Sequence, residues 1–251
     1  MNNLFRNSAR YKRKIVNSIF NYLFKKRLYP SISNYWEIAR FQTTDSDELI
    51  HKILKKSGNL ETEFDTLSQN LKYRIARAKN LAYPLNFGLE TKQANFIYKF
   101  VRLYKPKQIV ETGVANGVST YFILNAMKKN GVGKLISIDI NKNVGGLLAG
   151  NEKTDWRLYI LNKKSSKKSL VKTLNEIKNR NVSIFLHDSN HSYNWQLFEY
   201  ENALKILKPK IIMSDDIDNS LAFYYFCKKT HKNPYILIDR RKFFGVLEIK
   251  N

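Results

Sequence analysis

Residues 108–119 read Gln-Ile-Val-Glu-Thr-Gly-Val-Ala-Asn-Gly-Val-Ser, an apolar run that enters a glycine turn and then a helical pattern. Such a turn leaves the end of a strand bare, so a ligand can approach the main chain and the amino end of the next helix. Glu111, Gly113, Asn116, Gly117 and Ser119 are the candidate contacts. The next apolar run, residues 134–139, ends in Asp139, whose carboxylate can accept hydrogen bonds from a ribose diol. Together they point to a nucleoside-bearing cofactor. A dinucleotide would want Gly-x-Gly-x-x-Gly, a spacing that Gly113 and Gly117 do not provide.

A second constellation comprises Asp188, Asn190, His191, Asp215 and Asp216. Both segments should leave the carboxyl ends of neighbouring strands, where open α/β sheets bind ligands. Oxygen ligands in that number suit a hard divalent cation such as magnesium (Mg2+), with Asp188, Asn190, Asp215 and Asp216 as its ligands. The ion would orient an acceptor hydroxyl and lower its pKa. The alternative is that Asp215 and Asp216 cap a helix beginning near Asn219. His191 is the candidate general base, because an imidazole titrates near neutral pH. His187 can point to the opposite face of its strand, and His51 and His231 read as surface residues. Tyr83, Phe87, Tyr193 and Trp195 can wall a pocket, whereas Phe223 and Tyr224, inside a helical pattern, can equally be packing. Residues 83–88 read as a loop able to fold over the cofactor.

Short strands and helices alternate from residue 108 onward. Strands are expected at 108–112, 134–139, 156–161, 182–187, 210–214, 235–239 and 243–249, with helices at 118–130, 166–178, 194–207 and 219–229. Alternation of this kind implies a mainly parallel sheet covered on both faces. Only a tight connection separates the last two strands, which must therefore be antiparallel. Residues 1–89 read as a helical extension and 90–251 as the α/β domain. Within the extension, Asp45 or Ser46 caps a helix that stops at Gly58, and 61–79 and 91–104 have helical spacing.

Residues 1–30 carry Ile15, Val16, Ile19, Phe20, Leu23 and Phe24 at helical spacing, flanked by lysines and arginines. This basic amphipathic helix can lie on an anionic membrane surface, or dock on its own domain or on a second copy in a homo-oligomer. The formal charge of +23 invites a nucleic-acid reading. Its basic residues scatter over several segments, including Arg240-Arg241-Lys242, and lysine enrichment beside Asn, Ile, Tyr and Phe also follows from a compositional bias. A lone cysteine, Cys227, excludes an internal disulfide and fits a reducing, cytoplasmic setting. No run of about 18 apolar residues predicts a membrane span, and no secretion signal is read.

The turn, the acid after the next strand and the closing hairpin resemble the class I S-adenosylmethionine-dependent methyltransferases over residues 90–250. Ile184-Phe185-Leu186-His187-Asp188-Ser189-Asn190-His191-Ser192-Tyr193, with Ile211-Ile212-Met213-Ser214-Asp215-Asp216, is similar to one branch. That branch holds O-methyltransferases of the macrocin and caffeoyl-CoA kind and cephalosporin-hydroxylase-like proteins. Asn190 stands where its usual Asp-Gly-Asp-His-Ser-Tyr has a second aspartate, and Lys210 where glycines are common. The resemblance implies a Rossmann-like seven-stranded sheet ending in an antiparallel hairpin. It also implies that S-adenosyl-L-methionine binds over Gly113 and Gly117, with Asp139 on its ribose, Glu111 orienting its amino group and Asp188 beside it. The acceptor would be a small molecule or sugar, and the lysine-rich surface suits one bearing phosphate. Two other readings are an RNA methyltransferase and a non-catalytic cofactor-binding protein.

Overall fold

The computed structural model describes residues 33–85, 88–239 and 242–249. It forms two compact units, Met1–Ile38 and Ala39–Asn251. The first contributes one described helix, α1 (Ser33–Ile38), and the amphipathic pattern of residues 1–30 lies outside the described residues. Among the described residues no helix is long and apolar enough to cross a membrane.

The second unit runs β1 (Phe41–Thr43), α2 (Ser46–Leu54), α3 (Glu61–Arg77), α4 (Thr91–Tyr104), β2 (Gln108–Thr112), α5 (Val118–Asn130), β3 (Lys134–Asp139) and β4 (Trp156–Ile160). It continues with α6 (Ser166–Ile177), β5 (Ile184–His187), α7 (Tyr193–Asn202), β6 (Ile211–Ser214), α8 (Ala222–Thr230), β7 (Tyr235–Asp239) and β8 (Lys242–Glu248). Eight strands form one sheet in the order β1-β7-β8-β6-β5-β2-β3-β4. All neighbours are parallel except β8, which is antiparallel to both β6 and β7. The seven expected strands are present. The eighth, β1, corrects the reading of residues 1–89 as all helical: three residues carry no periodicity, and their pairing partner lies in β7. The sheet and its second unit thus reach back across the 89/90 boundary.

Local signals explain most helix ends. The Asp45 carboxylate accepts from the Asp47 and Glu48 N–H groups at 2.8 and 3.1 Å and starts α2. That helix stops before Gly58, because Lys55 already takes a left-handed conformation at φ 54°. Gln93 accepts from the Glu90 N–H at 3.0 Å at the start of α4, and left-handed Lys105, followed by Pro106, ends it. Lys99 of α4 is buried and reaches Asp47 at 2.7 Å and Glu61 at 2.5 Å, tying α2, α3 and α4 together.

Strand alternation divides the core between two faces. Ile109, Leu135, Ile184, Leu186 and Met213 pack with Leu49, Ile50, Phe96, Phe100 and Phe122 of α2, α4 and α5. Val110, Ile136, Phe185, Ile212 and Ile236, all buried, face the other side. Thr112 of β2, His187 of β5 and Ser214 of β6 are in register. Gly113, Asp188 and Asp215 are therefore the first residues beyond three adjacent strand ends.

Candidate active site

The turn after β2 is held from below and from the side. Glu111 is fully buried and accepts from Ser119 Oγ (2.6 Å), Thr120 Oγ1 (2.8 Å) and Ser137 Oγ (2.6 Å). Burial pushes its carboxyl above the usual range, against the pull of those three hydroxyls. Glu111 and Ser119 thus brace the turn from beneath. Gly113 has φ +83°, and a Cβ there would lie 2.0 Å from the Asp188 carbonyl oxygen. Gly117, also left-handed, opens α5. Asp139 accepts from the Val114 N–H at 2.9 Å and the Asn141 N–H at 2.8 Å, which fixes its carboxylate across the turn.

Two cavities open above these strand ends. The larger, about 380 Å³, is lined by Gly113, Ala115, Ile138, Asp139, Leu161 and Trp195, among others. The smaller, about 270 Å³, is lined by His191, Asp215, Asp216 and Lys242, with Gly88 and Val118 at its side. Ala115, Asp188 and Ser189 border both.

Asn116 sits elsewhere. Its buried side chain donates to the Tyr83 carbonyl at 2.9 Å and accepts from the Tyr83 N–H at 3.2 Å, clamping residue 83 over the turn. Tyr83 and Trp195 line the larger cavity. Phe87 lies outside the described residues. Tyr193 is exposed against Tyr225, and Phe223 is core packed on Tyr200.

The acidic cluster gathers Asp188, Asp215 and Asp216 but not Asn190. Asn190 is exposed, accepts from the Ser192 N–H at 2.9 Å and lines the larger cavity. His191 joins the cluster instead: its Nε2 lies 4.0 Å from Asp188 Oδ1 and 3.8 Å from Asp216 Oδ2. Burial and then neighbouring His187 push its pKa down to about 4, so the imidazole is neutral at neutral pH. Gln196 Nε2 lies 3.4 Å from His191 Nδ1, and the Gln196 amide is bonded in turn to Ser220 Oγ. Turning that amide over would let Nδ1–H donate to it and leave Nε2 free to take a proton.

Asp215 and Asp216 do not cap the following helix. That helix starts at Ala222, whose N–H bonds Ser220 Oγ at 3.1 Å, while Asp216 accepts from Asn219 Nδ2 at 3.0 Å. Ligand atoms of Asp188, His191 and Asp215 lie within 4.8 Å of one another, close enough to share a cation. An ammonium is already there: Lys242 Nζ is 3.1 Å from Asp216 Oδ1 and 3.7 Å from Asp215 Oδ2. Burial works against its charge, but Asp215 and Asp216 outweigh it and hold Lys242 above the ordinary lysine value. One ammonium cannot balance three clustered carboxylates, of which Asp215 and Asp216 are buried and Asp188 is partly so. Burial, reinforced by Asp215, raises Asp188 well above its usual value, and burial with Asp216 raises Asp215 to about 7.

That shift has a measurable sign. Between pH 4 and pH 7 folded Asp215, with its pKa at about 7, keeps a proton that the unfolded chain has released. Its contribution to stability is full at low pH and is lost as pH rises, at about 1.4 kcal/mol per pH unit. Asp215→Asn is expected to flatten the fall of urea-unfolding stability across this window. An unchanged slope would show that Asp215 is not the group responsible.

Sequence reasoning missed Glu199. This α7 residue is buried and accepts from four donors: Thr112 Oγ1 (2.5 Å), His187 Nδ1 (2.6 Å), Ser189 Oγ (2.9 Å) and Trp195 Nε1 (2.6 Å). It also borders the larger cavity. The only signal was Trp195 and Glu199 at an i, i+4 spacing on a helix behind the His187-Asp188-Ser189 strand end.

Residues 110–217 match the family model of a methyltransferase domain. No curated protein matches the chain in sequence. Among solved structures it is similar to an O-methyltransferase from Bacillus cereus in complex with S-adenosylhomocysteine, at a TM-score of 0.52 and 14% identity over 80% of this chain and 96% of that one. A methyltransferase from Podospora anserina bound to S-adenosylhomocysteine superposes at a TM-score of 0.52 and 12% identity, covering 74% and 88%. An O-methyltransferase of tomaymycin synthesis from Streptomyces achromogenes, in complex with S-adenosylmethionine, gives 0.50 and 13%, covering 82% and 97%. At these identities the likeness is one of fold, and residues 110–217, which carry the site, are the part that matches the methyltransferase-domain model.

Proposed function

We propose that this chain moves a methyl group from S-adenosyl-L-methionine to an oxygen of a small molecule or sugar. One observation carries the reading: the cavity over Gly113 and Asp139 meets the cavity holding His191 and the carboxylates at Asp188. The donor would lie on one side of that boundary and the acceptor on the other. Bound S-adenosylmethionine supplies a sulfonium methyl open to in-line attack by an oxygen. The chain's own residues do the rest. Gly113, where a Cβ would meet the Asp188 carbonyl, lets the end of β5 close directly on the turn and so seats Asp188 and Ser189 between the two cavities. Asp139 keeps acceptor capacity for a ribose diol, because each of its oxygens takes one backbone N–H and a carboxylate oxygen can accept two hydrogen bonds. Ile138, Ile140 and Leu161 provide apolar walls for a base.

On the acceptor side, neutral His191 takes the hydroxyl proton at Nε2 once the Gln196 amide is turned over, so that its oxygen and not its nitrogen faces Nδ1 and accepts from Nδ1–H. Asp188 and Asp216 flank the imidazolium that forms. Magnesium, the expectation from Asp188, Asn190, Asp215 and Asp216, has no part in this scheme. Asn190 is turned away, and the Lys242 ammonium lies against Asp216 and Asp215. A phosphate-bearing acceptor would find its counter-charge in Lys163, which lines the larger cavity, since Lys242 is already held by Asp215 and Asp216.

Calorimetry with S-adenosylmethionine and S-adenosylhomocysteine tests the reading. The wild type should bind both, and Asp139→Ala should bind about 10- to 100-fold more weakly, the loss of one or two charge-assisted hydrogen bonds. A wild type that binds neither would overturn it.

A further inference from the structure

We propose that Lys242 is the resident cation of the smaller cavity, filling the charge role that a divalent ion would otherwise have among Asp188, Asp215 and Asp216. The identification of that cavity as the acceptor site rests on the function proposed above. The charge compensation stands on geometry alone.

The hairpin delivers the ammonium. β8 runs antiparallel to β6 with Gly245 opposite Ser214, so Lys242, three residues before Gly245, overhangs the end of β6 where Asp215 and Asp216 emerge. Its main chain is anchored on both sides. Asp239 pairs with Lys242 across the hairpin, the Phe243 N–H donates to Asp218 Oδ1 at 3.0 Å, and the Ile217 N–H donates to the Phe243 carbonyl at 3.0 Å. The strand that carries the cation is thus bonded to the loop that carries the anions.

The side chain then lies 3.1 Å from Asp216 Oδ1 and 3.7 Å from Asp215 Oδ2, with 27% of it exposed. Magnesium needs oxygen ligands near 2.1 Å in an octahedral shell, and an ammonium against the same carboxylates both occupies that space and repels the ion. A lysine also offers what a bound ion would offer to an acceptor: fixed positive charge and donors aimed at an oxygen on which negative charge develops. Lys242 therefore accounts for a site that, among the described residues, holds three carboxylates with one basic side chain besides a neutral histidine.

The test is metal binding by the full chain, measured by calorimetry with Mg2+ and with Mn2+, with and without S-adenosylmethionine. The wild type should take up neither ion. Lys242→Met should gain affinity by at least about 30-fold, the factor for a unit charge about 4 Å from a divalent ion even with the screening of bulk water. Lys242→Arg, which keeps the charge, should stay metal-free. Recovery of folded Lys242→Met only when Mg2+ is present would support the proposal equally, since the ion would then replace the lost ammonium. Uptake of Mg2+ by the wild type with the affinity of Lys242→Met would overturn it. Should Lys242→Met fold under no condition, the wild type alone decides: submillimolar Mg2+ binding overturns the proposal and absence of binding supports it. These titrations involve no turnover, so they can fail while cofactor binding persists, and cofactor binding can fail while they succeed.

Discussion

Glu199→Ala is expected to lower the unfolding free energy by about 3–5 kcal/mol, a drop of roughly 10 °C in melting temperature for a unit of this size. The substitution removes the carboxylate that accepts from Thr112, His187, Ser189 and Trp195: Trp195 Nε1 keeps Ser189 Oγ at 3.0 Å, but buried Thr112 and His187 lose their acceptor. Each orphaned group keeps its desolvation cost without the bond that offset it. His187 suffers most, because among the described residues its buried Nε2 has no hydrogen-bond partner and Nδ1 would lose the Glu199 carboxylate. Glu199→Gln separates the contributions: it keeps one acceptor oxygen but presents an amide to the remaining donors, and should lie between wild type and alanine. A melting temperature for Glu199→Ala within about 2 °C of wild type would mean that the four bonds do not act as a unit.

The second large effect belongs to Gly113→Ala, expected to abolish S-adenosylmethionine binding and to cost upwards of about 3 kcal/mol of stability. The added methyl would meet the Asp188 carbonyl oxygen at 2.0 Å, its carbon at 2.5 Å and Ser189 Cα at 2.8 Å, all main chain. Nothing flexible is available to move aside, so the end of β5 must shift, and with it two residues that border both cavities. Gly131→Ala is the control. That glycine is also left-handed, at φ +65°, but no atom lies within 4 Å of the place its Cβ would take. Its replacement should show backbone strain alone, about 1 kcal/mol, with cofactor binding intact. Equal effects at the two positions would assign the loss at Gly113 to conformation and not to contact.

The parts legible from sequence are those with a local cause. The Ile109-Val110 pair of β2 leads straight into a glycine turn that needs its own residue type, and the closing hairpin follows from a connection too short for a crossover. The parts that stayed hidden depend on partners far along the chain. β1 is three residues long and meaningful only beside β7. Asn116 stood in a cofactor turn, yet its side chain serves a loop more than thirty residues upstream. Lys242 read as one more lysine in a basic run, because only the register of β8 on β6 brings it over Asp216. Asn190, placed among ligand-type residues by spacing, spends its oxygen on a local turn, as short polar side chains after a strand do.

Gly113, Asp188 and Asp215 each follow a strand end that is level with its neighbours. Their separations are inherited from the hydrogen-bond ladder, about 4.8 Å per strand, whichever side chains stand there. A lineage could exchange a carboxylate for an amide, or a metal ligand for a lysine's counter-ion, without disturbing the spacing that the rest of the machinery needs. In this fold the chemistry is free to diverge while the frame that measures it out stays fixed.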